Sequence, residues 1–321
     1  MIKTAVIGPL RDKDRARLAP FADRYEFDFF ETEAGADLHP YEVVMGLPSR
    51  AAIMPLENLK WLQIFWAGTD SYTLEPGFRE DIAFTNVSGA FGPGIAEHIL
   101  TMLLCLYKGY HRYIPDMATG AWRDHGVQES PVGKRVLILG AGDIGCCAAR
   151  LLRPFGCLIT GMRRVARTAP PEFDRMIGMA ELDAALPEAD IVVCALPGTA
   201  ETRGLLDARR LGLMKSDAVL INVGRGNLVD SDALNLALRE GRLAGAGLDV
   251  TEPQPLPPEH PLWHAPNVII TPHISGGSFG HLAATTDLIF DIVCENLRRY
   301  ADGEPLCNPV DLRTGYRATQ L

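Results

Sequence analysis

The sequence predicts an α/β protein made of two doubly wound parallel-sheet domains. Three observations carry that expectation. Short apolar runs alternate with polar, helix-like stretches through the first hundred or so residues. A second series of the same kind starts from a continuous apolar run at residues 136–139. The length of 321 residues suits two domains of roughly 100–200 residues each.

Residues 3–7, 43–45 and 61–65 are apolar runs of strand length, as expected of strands covered on both faces. A helical pattern over 94–108 is opened by Pro93. A loop rich in glycine and charge follows around 119–134. The second lobe begins at Arg135, with strands expected at 136–139, 157–160, 191–196, 218–222, 245–250 and 268–271 and helical segments between most of them. Residues 287–300 read as a last amphipathic helix, and the tail 301–321 as a segment wrapping over a domain surface. The expected division is 1–97, 98–275 and 276–321, with the last segment returning to the first lobe.

Composition narrows the function. Apolar residues make up 47% and charged residues 22%, and the net charge is −9. That balance argues against nucleic acid or an anionic membrane as partner but leaves room for a local basic pocket. The seven cysteines are scattered, odd in number and without paired metal spacing, so no metal is expected and a reduced, cytoplasmic compartment fits best. Residues 1–8 read as a strand rather than a signal peptide, and the longest apolar stretch, 99–107, is too short to span a bilayer.

The strand at 136–139 runs straight into Gly140-Ala141-Gly142-Asp143-Ile144-Gly145, and a helical pattern follows. In that setting Gly140 allows a tight turn, Gly142 lets backbone approach a pyrophosphate and Gly145 lets helix pack on strand. The helix N-terminus then offers N–H groups and a positive dipole end to phosphate. A plain glycine turn is the bland alternative. About 20 residues on, an NAD site carries a carboxylate for the ribose hydroxyl. Here the strand ends in Arg163-Arg164, with Arg167 close behind. Guanidinium groups can clamp a 2′-phosphate, so NADP(H) is preferred and NAD(H) remains possible; solvated surface arginines are the competing reading.

Three later motifs each lie at a probable strand end: Asn222-Val223-Gly224-Arg225-Gly226, Gly247-Leu248-Asp249-Val250 and Thr271-Pro272-His273-Ile274-Ser275. Ligands of open α/β sheets bind beyond such ends. One Arg and one His beside a nicotinamide suffice for keto-acid chemistry, the Arg pairing with carboxylate and carbonyl and the His moving the proton.

Together with Ala67-Gly68-Thr69-Asp70, residues 86–97, Leu196-Pro197 and Glu201-Thr202-Arg203-Gly204, these motifs resemble the D-isomer-specific 2-hydroxyacid dehydrogenases over nearly the whole chain. The glyoxylate/hydroxypyruvate reductase branch is the most similar, through Arg163-Arg164 and the 255–263 stretch. The resemblance implies two Rossmann-like domains, the nucleotide-binding one inserted in a split substrate domain, and a homodimer. It implies that Arg225 binds the substrate carboxylate, that His273 is the general acid/base, and that Gly68 and Thr69 offer backbone N–H groups to the carboxylate. Asp249 would meet the nicotinamide carboxamide or its ribose. Residues 194–197 and 222–224 would line the cofactor cleft, with Leu196, Pro197, Thr202, Val223, Gly224, His273 and Ser275 among the cofactor-binding residues.

Each role has a plainer counterpart: a surface Arg225 in a glycine turn, a satisfied loop His273, Asp249 as a cap, Gly68 as a turn residue. His98, His111, His125, His260, His264 and His281 fall in no such motif and read as structural or surface residues.

One position departs from the family pattern. By register against Pro255-Leu256-Pro257, the family's glutamate beside the catalytic His is Gln254 here, and Glu252 is out of register unless the loop shifts. Gln can hold an imidazole by a hydrogen bond but brings no negative charge to favour its protonated form. Reduction needs the protonated ring, so activity should start to fall at lower pH on the alkaline side than with Glu. A binding module that senses the dinucleotide with little turnover, and an enzyme for another donor or acceptor such as an aldonic acid or inorganic oxyanion, are the alternatives. Residues 46–48, Phe91 and Trp263 would decide the substrate.

Overall fold

A computed structural model describes residues 1–73, 75–164, 168–279, 281–312 and 316–317. The chain folds into two compact units, Met1–Phe91 with Gly277–Leu321, and Gly92–Gly276. Arg167, expected beside the Arg163-Arg164 pair, lies outside the described residues.

In the first unit, β1 (Ile2–Ile7), β2 (Tyr25–Phe30), β3 (Val43–Gly46), β4 (Trp61–Ile64) and β5 (Ala83–Thr85) form a parallel sheet in the order β2-β1-β3-β4-β5. The central strands are the continuous apolar runs. β2 and β5 were not expected, because both are edge strands. In β2 the aromatic residues alternate with Glu26 and Asp28, and much of the strand is only half-buried.

The helix Ala283–Asp302 belongs to this unit although it lies near the other end of the chain. Gln63 sits fully buried in β4, where an unpaired amide would be costly. Asn296 donates to its Oε1 at 2.8 Å and Thr85 Oγ1 donates to the same oxygen at 2.9 Å, while Trp61 Nε1 donates to Thr85 Oγ1 at 2.8 Å. Tyr25 Oη donates to the Leu297 carbonyl at 2.6 Å, and the rings of Trp61 and Tyr300 stack with centroids 4.9 Å apart. The sheet thus selects its returning helix by buried polar pairing as well as by apolar contact. In the tail, Asn308 Nδ2 donates to the Ser88 carbonyl at 2.8 Å, and Val310–Asp311 pairs with Tyr316–Arg317.

The second unit holds β6 (Arg135–Leu139), β7 (Leu158–Met162), β8 (Arg175–Ile177), β9 (Ile191–Cys194), β10 (Val219–Asn222), β11 (Gly245–Leu248) and β12 (Val268–Ile270). They form one parallel sheet in the order β12-β11-β10-β9-β6-β7-β8. The strand order reverses between β6 and β9, which is where such sheets open a crevice for a ligand.

The helix Gly92–Tyr107 lies wholly in this unit. The first unit's leading part therefore ends at Phe91 rather than at 97, since a continuous helix moves as one body. This helix rests on β11 at two glycines. A Cβ at Gly247 would lie 2.8 Å from Met102 Sδ, and one at Gly245 would lie 3.4 Å from Leu106 Cδ2. A second helix, Tyr110–Thr119, follows and carries Pro115 within it. Sequence patterning gave no helix there, because Gly109 and Pro115 read as breaks, although Tyr110, Ile114 and Met117 recur at helical spacing and line its exposed side. Among the described residues, no helix is long and apolar enough to cross a membrane.

Candidate active site

The register of the second sheet aligns its strand ends. Leu139 pairs with Cys194, Cys194 with Asn222, Asn222 with Leu248 and Leu248 with Ile270. The segments that follow, from Gly140, Ala195, Val223, Asp249 and Thr271, therefore all leave from one edge.

At the glycine turn each glycine has a separate reason. Gly140 takes φ +109°, and a Cβ there would lie 2.6 Å from the Ala195 carbonyl oxygen. A Cβ at Gly145 would collide with the Gly140 carbonyl. At Gly142 no protein atom lies within 4 Å of a would-be Cβ. Nothing in the protein demands glycine at that point, which suits backbone kept bare for an approaching phosphate. Gly142 is the N-cap of the helix Asp143–Leu152, and Ile144 lies half-buried in its first turn. Asp143 turns its carboxylate to the Gly92 backbone, and burial there raises its pKa. Its side chain thus docks two helices together. Arg163, just beyond β7, donates from Nε and Nη2 to the Ala141 carbonyl at 2.9 and 2.6 Å, which sets its guanidinium against the turn. Arg164 is exposed and pairs with Glu201 at 3.5 Å. A carboxylate at the end of β7 is absent from the sequence. These residues fit a nicotinamide dinucleotide: a bare anion-binding helix N-terminus with a cation beside it.

Beyond β9, Cys194 is buried in the sheet core rather than lining a cleft, and burial pushes its thiol up to about 12. Leu196 packs against that core. Thr202 is buried, donates to the Pro197 carbonyl at 2.6 Å and accepts from the Thr199 N–H at 2.8 Å. Its hydroxyl shapes the 197–202 loop.

Beyond β10, Asn222 is fully buried; it accepts from the Gly224 N–H at 3.1 Å and donates to the Arg225 carbonyl at 3.0 Å. Val223 is buried. A Cβ at Gly224 would collide with the Leu196 carbonyl and one at Gly226 with the Thr251 carbonyl. Arg225 is therefore held between two glycines wedged against neighbouring loops, with Nη1 donating to the Gly224 carbonyl at 3.0 Å.

The third segment carries His273. Its Nδ1 lies 2.8 Å from Gln254 Nε2. Glu252 faces Arg203 at 3.5 Å instead, so no loop shift brings it to the ring. His273 adopts φ +55°, a left-handed conformation costing a non-glycine residue on the order of 1–3 kcal/mol. Asp249 holds it there. The His273 N–H donates to the Asp249 carbonyl at 2.8 Å, and the Asp249 carboxylate accepts from the Ile274 and Ser275 N–H groups, each at 2.9 Å, and from Thr271 Oγ1 at 2.6 Å. Burial pushes Asp249 upward, but hydrogen bonds from Ser275, Thr271 and the two backbone N–H groups outweigh it and hold the carboxyl below its ordinary value. A direct contact with a nicotinamide was expected of Asp249. Its side chain has no exposed surface and both oxygens are bonded to protein, so it acts through the loop it anchors. Ser275, buried and also bonded to Asp249, shares that task.

The sequence reading missed His98. Its Nε2 lies 3.0 Å from Thr271 Oγ1 and 3.9 Å from Asp249 Oδ1. Burial lowers its pKa, with Asp249 acting in the other direction. In the first unit, the half-buried Gly68 and the buried Thr69 follow β4. The Thr69 carbonyl accepts from the Tyr72 and Thr73 N–H groups at 2.8 and 3.0 Å and so starts a short helix.

Comparison with known proteins agrees with this arrangement. The profile described as "D-isomer specific 2-hydroxyacid dehydrogenase, NAD binding domain" matches residues 100–275. Glyoxylate reductase of Thermococcus kodakarensis is 34% identical over 257 residues, covering 77% of this chain and 75% of that protein. Mitochondrial formate dehydrogenase 2 of Oryza sativa is 32% identical over 262 residues, 78% of this chain and 67% of that one. A solved D-isomer specific 2-hydroxyacid dehydrogenase from Xanthobacter autotrophicus, in complex with NADPH and MES, superposes with a TM-score of 0.82 at 30% identity, over 98% of this chain and 100% of that one. With its fold, its dinucleotide turn and these relatives in agreement, the chain belongs to the D-isomer-specific 2-hydroxyacid dehydrogenases, nicotinamide-dependent oxidoreductases of small hydroxy and keto acids.

Proposed function

We propose that this protein reduces a small 2-keto acid of the glyoxylate or hydroxypyruvate kind to the D-2-hydroxy acid, with NADP(H) preferred over NAD(H). The observation that carries this reading is the shared strand edge, from which the phosphate turn, Arg225 and His273 follow β6, β10 and β12 of one sheet. When bound, the reduced nicotinamide supplies the hydride. Arg225 pairs with the substrate carboxylate and polarises the keto group, Gly68 and Thr69 give backbone N–H groups to the carboxylate, and His273 protonates the oxygen that becomes the hydroxyl. With Nδ1 beside Gln254, proton exchange with substrate falls to Nε2 of His273. Arg163 and Arg164 supply the charge that a 2′-phosphate favours.

Gln254 shapes the proton step. With its amide nitrogen toward Nδ1, the ring accepts there and is neutral. With the amide turned so that Oε1 faces Nδ1, a protonated ring donates to it. A carboxylate there would accept from Nδ1–H in either ring state but add a charge that favours the protonated one; the amide adds none. This neutral partner also favours a second reading, a dinucleotide-binding protein with little turnover.

We further propose a cytoplasmic homodimer. The seven cysteines all stand as free thiols. Tyr110, Ile114, Met117, Trp122, Val127 and Val132 present exposed apolar side chains over one short stretch of the second unit, as an assembly surface does.

The test is loss of reduced-cofactor absorbance with glyoxylate and with hydroxypyruvate, NADPH and NADH in parallel, and formate with the oxidised cofactors as a further arm. Turnover with NADPH preferred supports the reading. Turnover with NADH preferred keeps the reductase and discards the arginine clamp. Formate oxidation without keto-acid reduction replaces the substrate class, and tight cofactor binding with no turnover on a wide acid panel supports the second reading.

A further inference from the structure

We propose that His98 is a positioning residue for His273, acting through Thr271 and Asp249; this rests on the reading of His273 as proton donor. The geometry starts in the core. Gly245, Gly247 and Asp249 alternate along β11 and its extension, so they share one face. The helix Gly92–Tyr107 seats Leu106 over Gly245 and Met102 over Gly247. His98 lies four residues before Met102, about one helical turn back. Asp249 lies two residues after Gly247, about 6.6 Å onward along the strand. The two steps match, and His98 arrives beside the Asp249 carboxylate.

The hydrogen bonds there have one direction. A carboxylate only accepts, so the Thr271 hydroxyl proton is committed to Asp249 Oδ1 at 2.6 Å. The 3.0 Å contact between His98 Nε2 and Thr271 Oγ1 must then be a donation from His98. That requires the proton on Nε2, and burial favours the neutral ring. The chain runs from His98 N–H to the Thr271 hydroxyl to Asp249. The same carboxylate accepts the N–H groups of Ile274 and Ser275, the two residues that follow the left-handed His273. Each link in such a chain polarises the next. Without His98, the Thr271 hydroxyl loses the donor that polarises it toward Asp249, and the His273 loop loses part of what holds it in a disfavoured conformation.

The experiment compares His98→Leu, His98→Gln, Thr271→Val, the His98→Leu/Thr271→Val double variant and His273→Ala in the full chain, with NADPH and glyoxylate. His98→Leu should lower kcat about 10-fold, the upper size expected for the loss of one net hydrogen bond. KM for glyoxylate and the NADPH Kd should stay within about two-fold of wild type. His98→Gln, which keeps an N–H donor, should recover most of the rate. The double variant should be no slower than the worse single one, because both break the same chain. Three results would each overturn the proposal: kcat of His98→Leu unchanged, His98→Gln as slow as His98→Leu, or losses that multiply in the double variant. An unaffected His273→Ala would instead remove the reading of His273, whatever His98 does.

Discussion

Two stretches of the second unit's strand edge are built on opposite plans. The phosphate turn, Gly140 to Gly145, works by leaving side chains out, and its requirements lie within a few consecutive residues and the strand loop beside it. The His273 loop works by recruiting side chains, and its anchors come from Asp249, Gln254, Thr271 and, 173 residues from Thr271, His98. Binding a cofactor's phosphates can be written locally. Aiming a proton donor requires a network assembled by the fold.

This contrast can be broken by substitution, with the largest effect expected at His273 itself. His273→Ala should cost about 10²–10⁴-fold in kcat while leaving NADPH binding near wild type, as measured by fluorescence titration; equal losses in both would merge the two stretches into one function. Next comes the pair of glycines. Gly145→Ala forces a methyl group into the Gly140 carbonyl, and the overpacking should lower stability by about 1–3 kcal/mol in urea unfolding. Gly142→Ala meets no protein atom within 4 Å, so its unfolding midpoint should not move while NADPH binding weakens by about 10-fold or more, on the order of 1.4 kcal/mol. A destabilised Gly142→Ala with normal binding would show that this glycine serves the fold.

Gln254→Glu sharpens the comparison on the other side. A carboxylate beside His273 favours the protonated ring, so the alkaline limb of the kcat/KM profile should move up by about one pH unit or more. An unmoved limb would mean that Gln254 does not govern the proton step.

The smallest effect concerns His98 and stability. Its folded pKa lies below the ordinary 6.5 because of burial. As pH falls through 6.5 the unfolded chain takes up a proton that the folded one resists, so stability drops with falling pH between 6.5 and the lower folded value. In His98→Gln that part of the slope should vanish from thermal midpoints taken between about pH 7 and 5.

The same contrast explains what could be read from the sequence. The central strands of both sheets are runs buried on both faces, so 43–45, 136–139 and 191–194 announce themselves by composition. The edge strands Tyr25–Phe30, Ala83–Thr85 and Arg175–Ile177 are short or mixed in polarity and gave no such signal. The helix Tyr110–Thr119 hid because Gly109 before it and Pro115 within it read as breaks. At the site, the glycine turn is visible because its logic is consecutive. Gln254 can be placed by register, and the fold sets its amide 2.8 Å from the His273 ring. His98 and the inward role of Asp249 could not be found this way. Both depend on which side of a strand end is closed over, and that is decided by a helix distant in sequence. One local clue existed: Gly245 and Gly247 alternate on a strand, a sign of something packed close above that face.

The two bare positions under the helix Gly92–Tyr107 also bear on how this enzyme's speed could drift over generations. A methyl group at Gly247 would press on Met102 and on Ile221, lifting the helix and carrying His98 with it. No ligand-facing residue would have changed. The seat of that helix is therefore a tuning screw set in the hydrophobic core, and inherited changes in bulk there would be felt as turnover before they were felt as affinity.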